Sequence, residues 1–250
     1  SSDARLADRL LAIKRAVMRV PPAEREAVAH DLSGGSVDAH WSRTEHAVAG
    51  GADAARWENL GKRLREVLPE DAILTNGAGN FTVWPNKFFR FGPKARLLAP
   101  QSGAMGYGLP AAVAAKVADP ARTVVCFAGD GDFQMNCQEL ATALQYGAQP
   151  IILLLNNGIY GTIRAHQERT YPTRVSGTDM VNPDFVALSR AYGFHSERVE
   201  RTEDFAAAFA RAMASGTGAV LDLNISPEAL TPRQTLSQMR EAALKAKETA

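Results

Sequence analysis

Two short apolar runs, Val124–Ala128 and Ile151–Leu155, constrain the fold of this chain more than any other feature. Each is continuously apolar rather than alternating, and glycine or proline bounds the pair at Gly129 and Pro150. Such runs suit strands buried on both faces, as in a parallel sheet covered by helices. The intervening stretch, Phe133 to Tyr146, reads as a crossover helix with Leu140, Ala143, Leu144 and Gly147 at helical spacing on one face. A right-handed strand–helix–strand crossover sets the ends of its two strands side by side. Asp130 and Asn157 are therefore expected at one carboxyl edge, where open α/β sheets bind their ligands.

The rest of the chain extends this pattern. Leu60, Leu64 and Val67 suggest a helix, Ala72–Thr75 a strand, Phe81–Phe89 a helix and Leu97-Leu98 a short strand. A small-residue helix is expected at Leu109–Val117. Beyond Gly161 the sequence reads as an irregular arm to about Asn182. It continues as a helix at Pro183–Tyr192, a strand-like segment at Phe194–Val199, a helix at Glu203–Ala214 and a strand at Ala219–Ile225. Strands alternating with helices predict an α/β fold, a three-layer open parallel sheet with helices on both faces, over residues 57–229. Leu6, Leu10, Ile13, Val17 and Val20 form an amphipathic pattern that Pro21-Pro22 ends, and the polar stretch to residue 56 has few large apolar residues. Residues 1–56 therefore read as a linker or the tail of a missing middle domain. Residues 230–250 read as a mobile, charged, helical tail. The chain opens with Ser1-Ser2 rather than Met, and is expected to be a processed or truncated piece of something longer.

Charge and cysteine content narrow the function classes. Lys and Arg number 28 against 27 acids, which gives no argument for nucleic acid or an anionic membrane surface. No apolar run approaches the roughly 20 residues needed to span a bilayer. Cys126 and Cys137, one in an expected strand and one in an expected helix, match no metal or redox spacing and read as free thiols in a reducing cytoplasm. His30, His40 and His46 show no ligand spacing, and His166 reads as a surface residue.

The chemistry resides in the loops after the strands. Glycine-bearing turns at 77–79 and 129–131 allow close backbone approach and present N–H groups, and helix amino ends beside them favour phosphate. Asp130 offers a hard anionic oxygen and Asn157 a neutral one, a pair suited to Mg²⁺ shared with substrate phosphates. Each alone is better explained by helix capping or turn closure; their joint placement after adjacent strands reverses that preference and favours a shared site.

Gly129-Asp130-Gly131, the 24 residues from Asp132 to Leu155, then Asn156-Asn157 resemble the thiamine-diphosphate motif. Residues 57–229 are thereby similar to the diphosphate-binding domain of the acetolactate synthase and pyruvate decarboxylase group. The resemblance implies thiamine diphosphate and Mg²⁺ as cofactors, with Asp130, Asn157 and the carbonyl of Ile159 as metal ligands. Gly103-Ala104-Met105-Gly106, followed by Tyr107-Gly108-Leu109-Pro110, resembles the family's segment beneath the bent cofactor. It implies that the Gly103 carbonyl accepts from the aminopyrimidine and that Met105 wedges between the two rings; on its own Met105 would read as core packing. Gly79-Asn80 resembles the family's first diphosphate contact. The sequence departs at Asp132, where the family often carries Ser, and Asp132 is expected to turn outward or cap the following helix.

The same resemblance implies a glutamate on a separate pyrimidine-binding domain, which nothing in this chain resembles; Glu139 belongs to the crossover and is not its equivalent. The catalytic acid is thus expected from a missing part of the chain or another subunit, in a homo-oligomer acting on a small 2-oxo acid. The resemblance implies an acetolactate synthase-like carboligase or lyase, with simple decarboxylation and a non-catalytic regulatory module as the alternatives. A dinucleotide-binding dehydrogenase is disfavoured, because no Gly-x-Gly-x-x-Gly opens a helix.

Overall fold

The two apolar runs are the central strands of a six-stranded, wholly parallel sheet. The computed structural model describes residues 64, 67–89, 91–231 and 233–249, all within the second of two units, Ala49–Ala250. The readings made for 1–56, and most of the helix expected before Val67, lie outside the described residues. In chain order the elements are β1 (Ile73–Asn76), a 3-10 turn (Asn80–Thr82), α1 (Val83–Phe88), β2 (Arg96–Leu98) and α2 (Gly108–Ala118). Then follow β3 (Val124–Gly129), α3 (Asp130–Gln134), α4 (Glu139–Gln145), β4 (Ile151–Asn156) and α5 (Gly161–Thr170). The chain closes with α6 (Phe185–Ala191), β5 (His195–Val199), α7 (Thr202–Ala214), β6 (Ala219–Asn224) and α8 (Leu236–Glu248). The strands lie in the order β2-β1-β3-β4-β6-β5.

Every residue of β3 is buried, as are all but the last of β4. Val124, Cys126, Ala128, Ile152 and Leu154 join one core cluster with Leu109, Ala112, Phe133 and Phe185. The alternate residues Val125, Phe127, Leu153 and Leu155 are buried as well, so the sheet is covered on both faces, as continuous apolar runs require. The helices show matching stripes: Phe205, Ala208, Phe209 and Ala212 form the buried face of α7. Asp184 caps α6 by accepting from the N–H groups of Val186 and Ala187, both at 3.0 Å.

Three expectations require correction. The crossover is two helices, interrupted at Met135–Gln138. Asn136, a weak helix former, sends its side-chain amide to the Gly106 carbonyl at 2.8 Å instead of continuing the helix. In consequence Leu140 and Ala143 are buried but Leu144 is 60% exposed, and Cys137 falls in a turn.

The arm is not irregular from its start, because Gly161–Thr170 forms α5, with Ala165 and Glu168 buried three residues apart. Its later part is stitched back to that helix. Gln167 exchanges two hydrogen bonds with the backbone of Ser176, and Glu168 accepts from the Thr173 N–H at 3.1 Å.

The C-terminal helix is docked rather than loose. Leu236 and Met239 are buried in a cluster with Ile159, Ala165 and Leu230. A reciprocal capping box between Thr235 and Gln238 starts α8, and Arg240 pairs with Glu168 at 2.5 Å.

Candidate functional site

The connections leaving β1 and β3 run in opposite directions, which opens a crevice at the carboxyl ends of these neighbouring strands. The loops after β1, β3 and β4 converge there. They are packed too closely to admit side chains at the points of contact. A Cβ on Gly108 would stand 2.7 Å from the Gly77 nitrogen, and one on Gly131 would stand 2.6 Å from the Tyr160 ring. Thr75 ties the start of α2 to β1, its hydroxyl donating to the Gly108 carbonyl at 2.8 Å.

A cavity of about 220 Å³ lies in the crevice. Gly79, Asn80, Gly103, Met105, Gly129, Asp130, Gly131, Asn157 and Ile159 all line it, whereas Ala104 is exposed outside its lining. Asp130 is 2% exposed. Its Oδ1 accepts from the Gly131 N–H at 3.0 Å, and its Oδ2 accepts from the Gly158 N–H and the Asn182 side chain, each at 2.8 Å. Burial pushes the Asp130 carboxyl above its ordinary range, and these hydrogen bonds oppose the shift. Asn157 Oδ1 accepts from the Ile159 N–H at 3.2 Å, closing the turn between them.

Asp132 turns inward, contrary to expectation. It is 2% exposed, and its Oδ1 accepts from the Gly106 N–H at 2.7 Å and the Ala78 N–H at 3.2 Å. One carboxylate oxygen thus staples the loop after β1 to the loop before α2. Burial pushes its pKa up to about 6, against the pull of those two amides. The missing Cβ of Gly77 makes the room, since one there would lie 1.9 Å from Asp132 Oδ1.

Further cavity residues lie outside the sequence motifs. Thr162, at the start of α5, accepts from the Asn80 N–H at 2.9 Å and joins the first glycine loop to the helix. Leu230 reaches the cavity from the segment before α8. No local pattern marks either one. Of the other candidates, His166 is exposed. Near it, Arg164 donates to the Thr178 hydroxyl at 2.6 Å and pairs with Asp179, which fastens the arm. Glu139 sits in the first turn of α4, away from the lining. The thiol of Cys126 is fully buried, and burial pushes its pKa up to about 12, which keeps it neutral and unreactive.

The arrangement fits a diphosphate-bearing cofactor with a hard cation. Among the described residues no three His, Cys, Asp or Glu side chains converge to hold a metal unaided. One carboxylate and one amide suit a cation whose remaining ligands are phosphate and water. Gly103, with φ 68°, leaves open space where a side chain would stand, and Met105, Leu155, Ile159 and Leu230 supply apolar surface for flat rings. Among the described residues no helix is long and apolar enough to cross a membrane.

Residues 77–223 match the family described as thiamine pyrophosphate enzyme, C-terminal TPP binding domain. The chain is 38% identical over 164 residues to an acetolactate synthase large subunit of Parasynechococcus marenigrum (strain WH8102), covering 65% of this chain and 26% of that one. It is 36% identical over 173 residues to the acetolactate synthase isozyme 2 large subunit of Escherichia coli (strain K12), covering 68% and 31%. A thiamine diphosphate-dependent 4-hydroxybenzoylformate decarboxylase from Rhodococcus jostii RHA1 superposes with a TM-score of 0.63 at 32% identity, covering 72% of this chain and 34% of that one. The chain spans about a quarter to a third of the length of these relatives.

Proposed function

The chain belongs to the thiamine pyrophosphate enzymes, matching their C-terminal cofactor-binding domain over more than half its length, and on that premise we propose that it is the diphosphate- and Mg²⁺-holding part of an acetolactate synthase-like carboligase acting on 2-oxo acids. The observation that carries this reading is the convergence of Asp130, Asn157 and Met105, from three separate loops, on one cavity. Asp130, Asn157 and the Ile159 carbonyl hold the cation, while Gly79 and Asn80 receive the diphosphate. The Gly103 carbonyl accepts from the amino group of the pyrimidine, Met105 keeps the two rings apart, and Gly129 and Gly131 keep the floor free of side chains. Leu155, Ile159 and Leu230 exclude water from the reacting centre.

When bound, thiamine diphosphate supplies the nucleophilic carbon and electron sink that a 2-oxo acid needs to lose carbon dioxide. The carboxylates lining the described cavity are Asp130 and Asp132, one assigned to the cation and the other committed to two backbone amides. A proton donor for the cofactor ring is therefore assigned to a pyrimidine-binding domain, supplied by another part of the full-length protein or by another subunit of a homo-oligomer. Free Cys126 and Cys137 suit a cytoplasmic setting.

Ligation is favoured because the acetolactate synthases are 36–38% identical to this chain. Simple decarboxylation is the second reading, favoured by the Rhodococcus decarboxylase. The test joins this chain to its pyrimidine-binding region and supplies pyruvate, Mg²⁺ and thiamine diphosphate. Acetolactate should accumulate, and the isolated chain should turn over nothing. Acetaldehyde with carbon dioxide and no acetolactate would favour decarboxylation; no turnover of any 2-oxo acid, with cofactor bound, would leave a regulatory module.

A further inference from the structure

A line of side-chain hydrogen bonds leads from Asp130 into the sheet, and the proposed function makes no use of it. Asn182, at the end of the arm, uses both hydrogens of its amide. One goes to Asp130 Oδ2 at 2.8 Å and the other to Asn156 Oδ1 at 2.9 Å. Its own Oδ1 accepts from Gln134 Nε2 at 3.0 Å. Asn156 donates onward to Asp222 Oδ1 at 3.0 Å, and Arg198 Nε donates to Asp222 Oδ2 at 3.0 Å. Asp222 is fully buried in β6. Asn182 is thus anchored through Asn156 to an ion pair in the sheet, although the segment carrying it is a surface loop.

The anchoring limits how Asp130 can meet a cation. An ionised carboxylate has about four acceptor sites, two on each oxygen. On Asp130, the Gly158 N–H and Asn182 occupy both sites of Oδ2, and the Gly131 N–H occupies one of Oδ1. These three bonds leave one site, on Oδ1. Of the three donors, Asn182 is the only side chain. We propose that Asn182 is a positioning residue that determines cation specificity, by occupying Oδ2 so that Asp130 binds a cation through Oδ1 alone. A single carboxylate oxygen suits Mg²⁺, which demands a compact octahedral shell, whereas Ca²⁺ accepts two oxygens of one carboxylate and a larger shell. Removing Asn182 opens one acceptor site on Oδ2, leaving the Gly158 N–H on the other, and shifts the site toward Ca²⁺. The inference rests on the reading of Asp130 as the cation's carboxylate.

The test titrates Mg²⁺, and separately Ca²⁺, into the full chain with thiamine diphosphate present, followed by calorimetry. Asn182→Ala should weaken Mg²⁺ binding by about 10- to 100-fold, the usual effect of losing a hydrogen-bond partner of a metal ligand. Ca²⁺ binding should change far less, so the preference for Mg²⁺ should fall by about tenfold or more. Val181→Ala, at a fully exposed neighbour, should change neither. Asn182→Leu, similar in size but without donors, tests the same claim if the alanine variant fails to fold. Mg²⁺ affinity within about twofold of the parent, or an equal loss for both cations, would overturn the proposal. Asp130→Ala separates this from the underlying reading. If that variant binds Mg²⁺ and cofactor normally, the cation site itself is misassigned and the inference goes with it.

Discussion

Asp132 and Gly77 claim the same space, so replacing both should destabilise the protein far less than the sum of replacing each. A Cβ on Gly77 would stand 1.9 Å from Asp132 Oδ1, and its three nearest atoms all belong to that carboxylate. Gly77 is not in the left-handed region, so its backbone accepts alanine and the clash is the whole penalty. To relieve it the carboxylate must leave the amides of Ala78 and Gly106, each bond to a charged acceptor contributing about 1.5–3 kcal/mol. Gly77→Ala should therefore destabilise by about 3–5 kcal/mol. Asp132→Ala strands the same amides but no longer buries a carboxylate, for a net loss of about 2–4 kcal/mol. In the double variant the clash is gone, and alanine restricts the unfolded chain by up to about 1 kcal/mol in favour of folding. The pair should then lose no more than Asp132→Ala alone, a coupling of about 3–5 kcal/mol, at or above the top of the range for touching residues. Denaturant unfolding of the four proteins at one pH measures this directly. Additivity to within about 0.5 kcal/mol would refute the placement of Asp132 against Gly77.

The pair Glu168–Arg240 should make docking of α8 acid-sensitive. The Arg240 guanidinium is the main cause holding the Glu168 carboxyl below its ordinary value of 4.5, so the stability it gives is present above about pH 4.5 and is lost as pH falls through the lower folded value. With Arg240 one-third exposed, Glu168→Gln should lower stability by about 1–3 kcal/mol at pH 7. That deficit should shrink below pH 4.5, and a pH-independent deficit would count against the pair. In the arm, hydrogen exchange should be slow at Thr173 and Ser176, whose amides bond to side chains of α5, and fast at exposed Val175 and Gly177. Uniformly fast exchange over 171–178, unchanged by Mg²⁺ and cofactor, would show that these bonds do not hold it.

What could be read in the sequence followed from local chemistry. The continuous apolar runs announced β3 and β4, because burial on both faces of a parallel strand leaves no polar alternation. The motifs after them brought Asp130 and Asn157 to one edge, because a right-handed crossover fixes where the strand ends lie. What could not be read depends on partners far along the chain. Asp132 is turned inward by amides 26 and 54 residues away, and Glu168 is buried because Arg240 lies 72 residues beyond it. Asn182, 52 residues from Asp130, looks in sequence like one more polar loop residue before a proline. The break in the crossover has the same origin, since Asn136 leaves the helix for a carbonyl 30 residues earlier. Composition carries no record of such pairings.

Calorimetric titration of thiamine diphosphate into the folded chain, with Mg²⁺ and then with the metal chelated, tests the central claim most directly. One molecule should bind per cavity with Mg²⁺ present, and binding should vanish on chelation and in Asp130→Ala. Equal binding with and without Mg²⁺, or undiminished binding by the folded Asp130→Ala variant, would contradict the assignment of this crevice as a diphosphate and Mg²⁺ site.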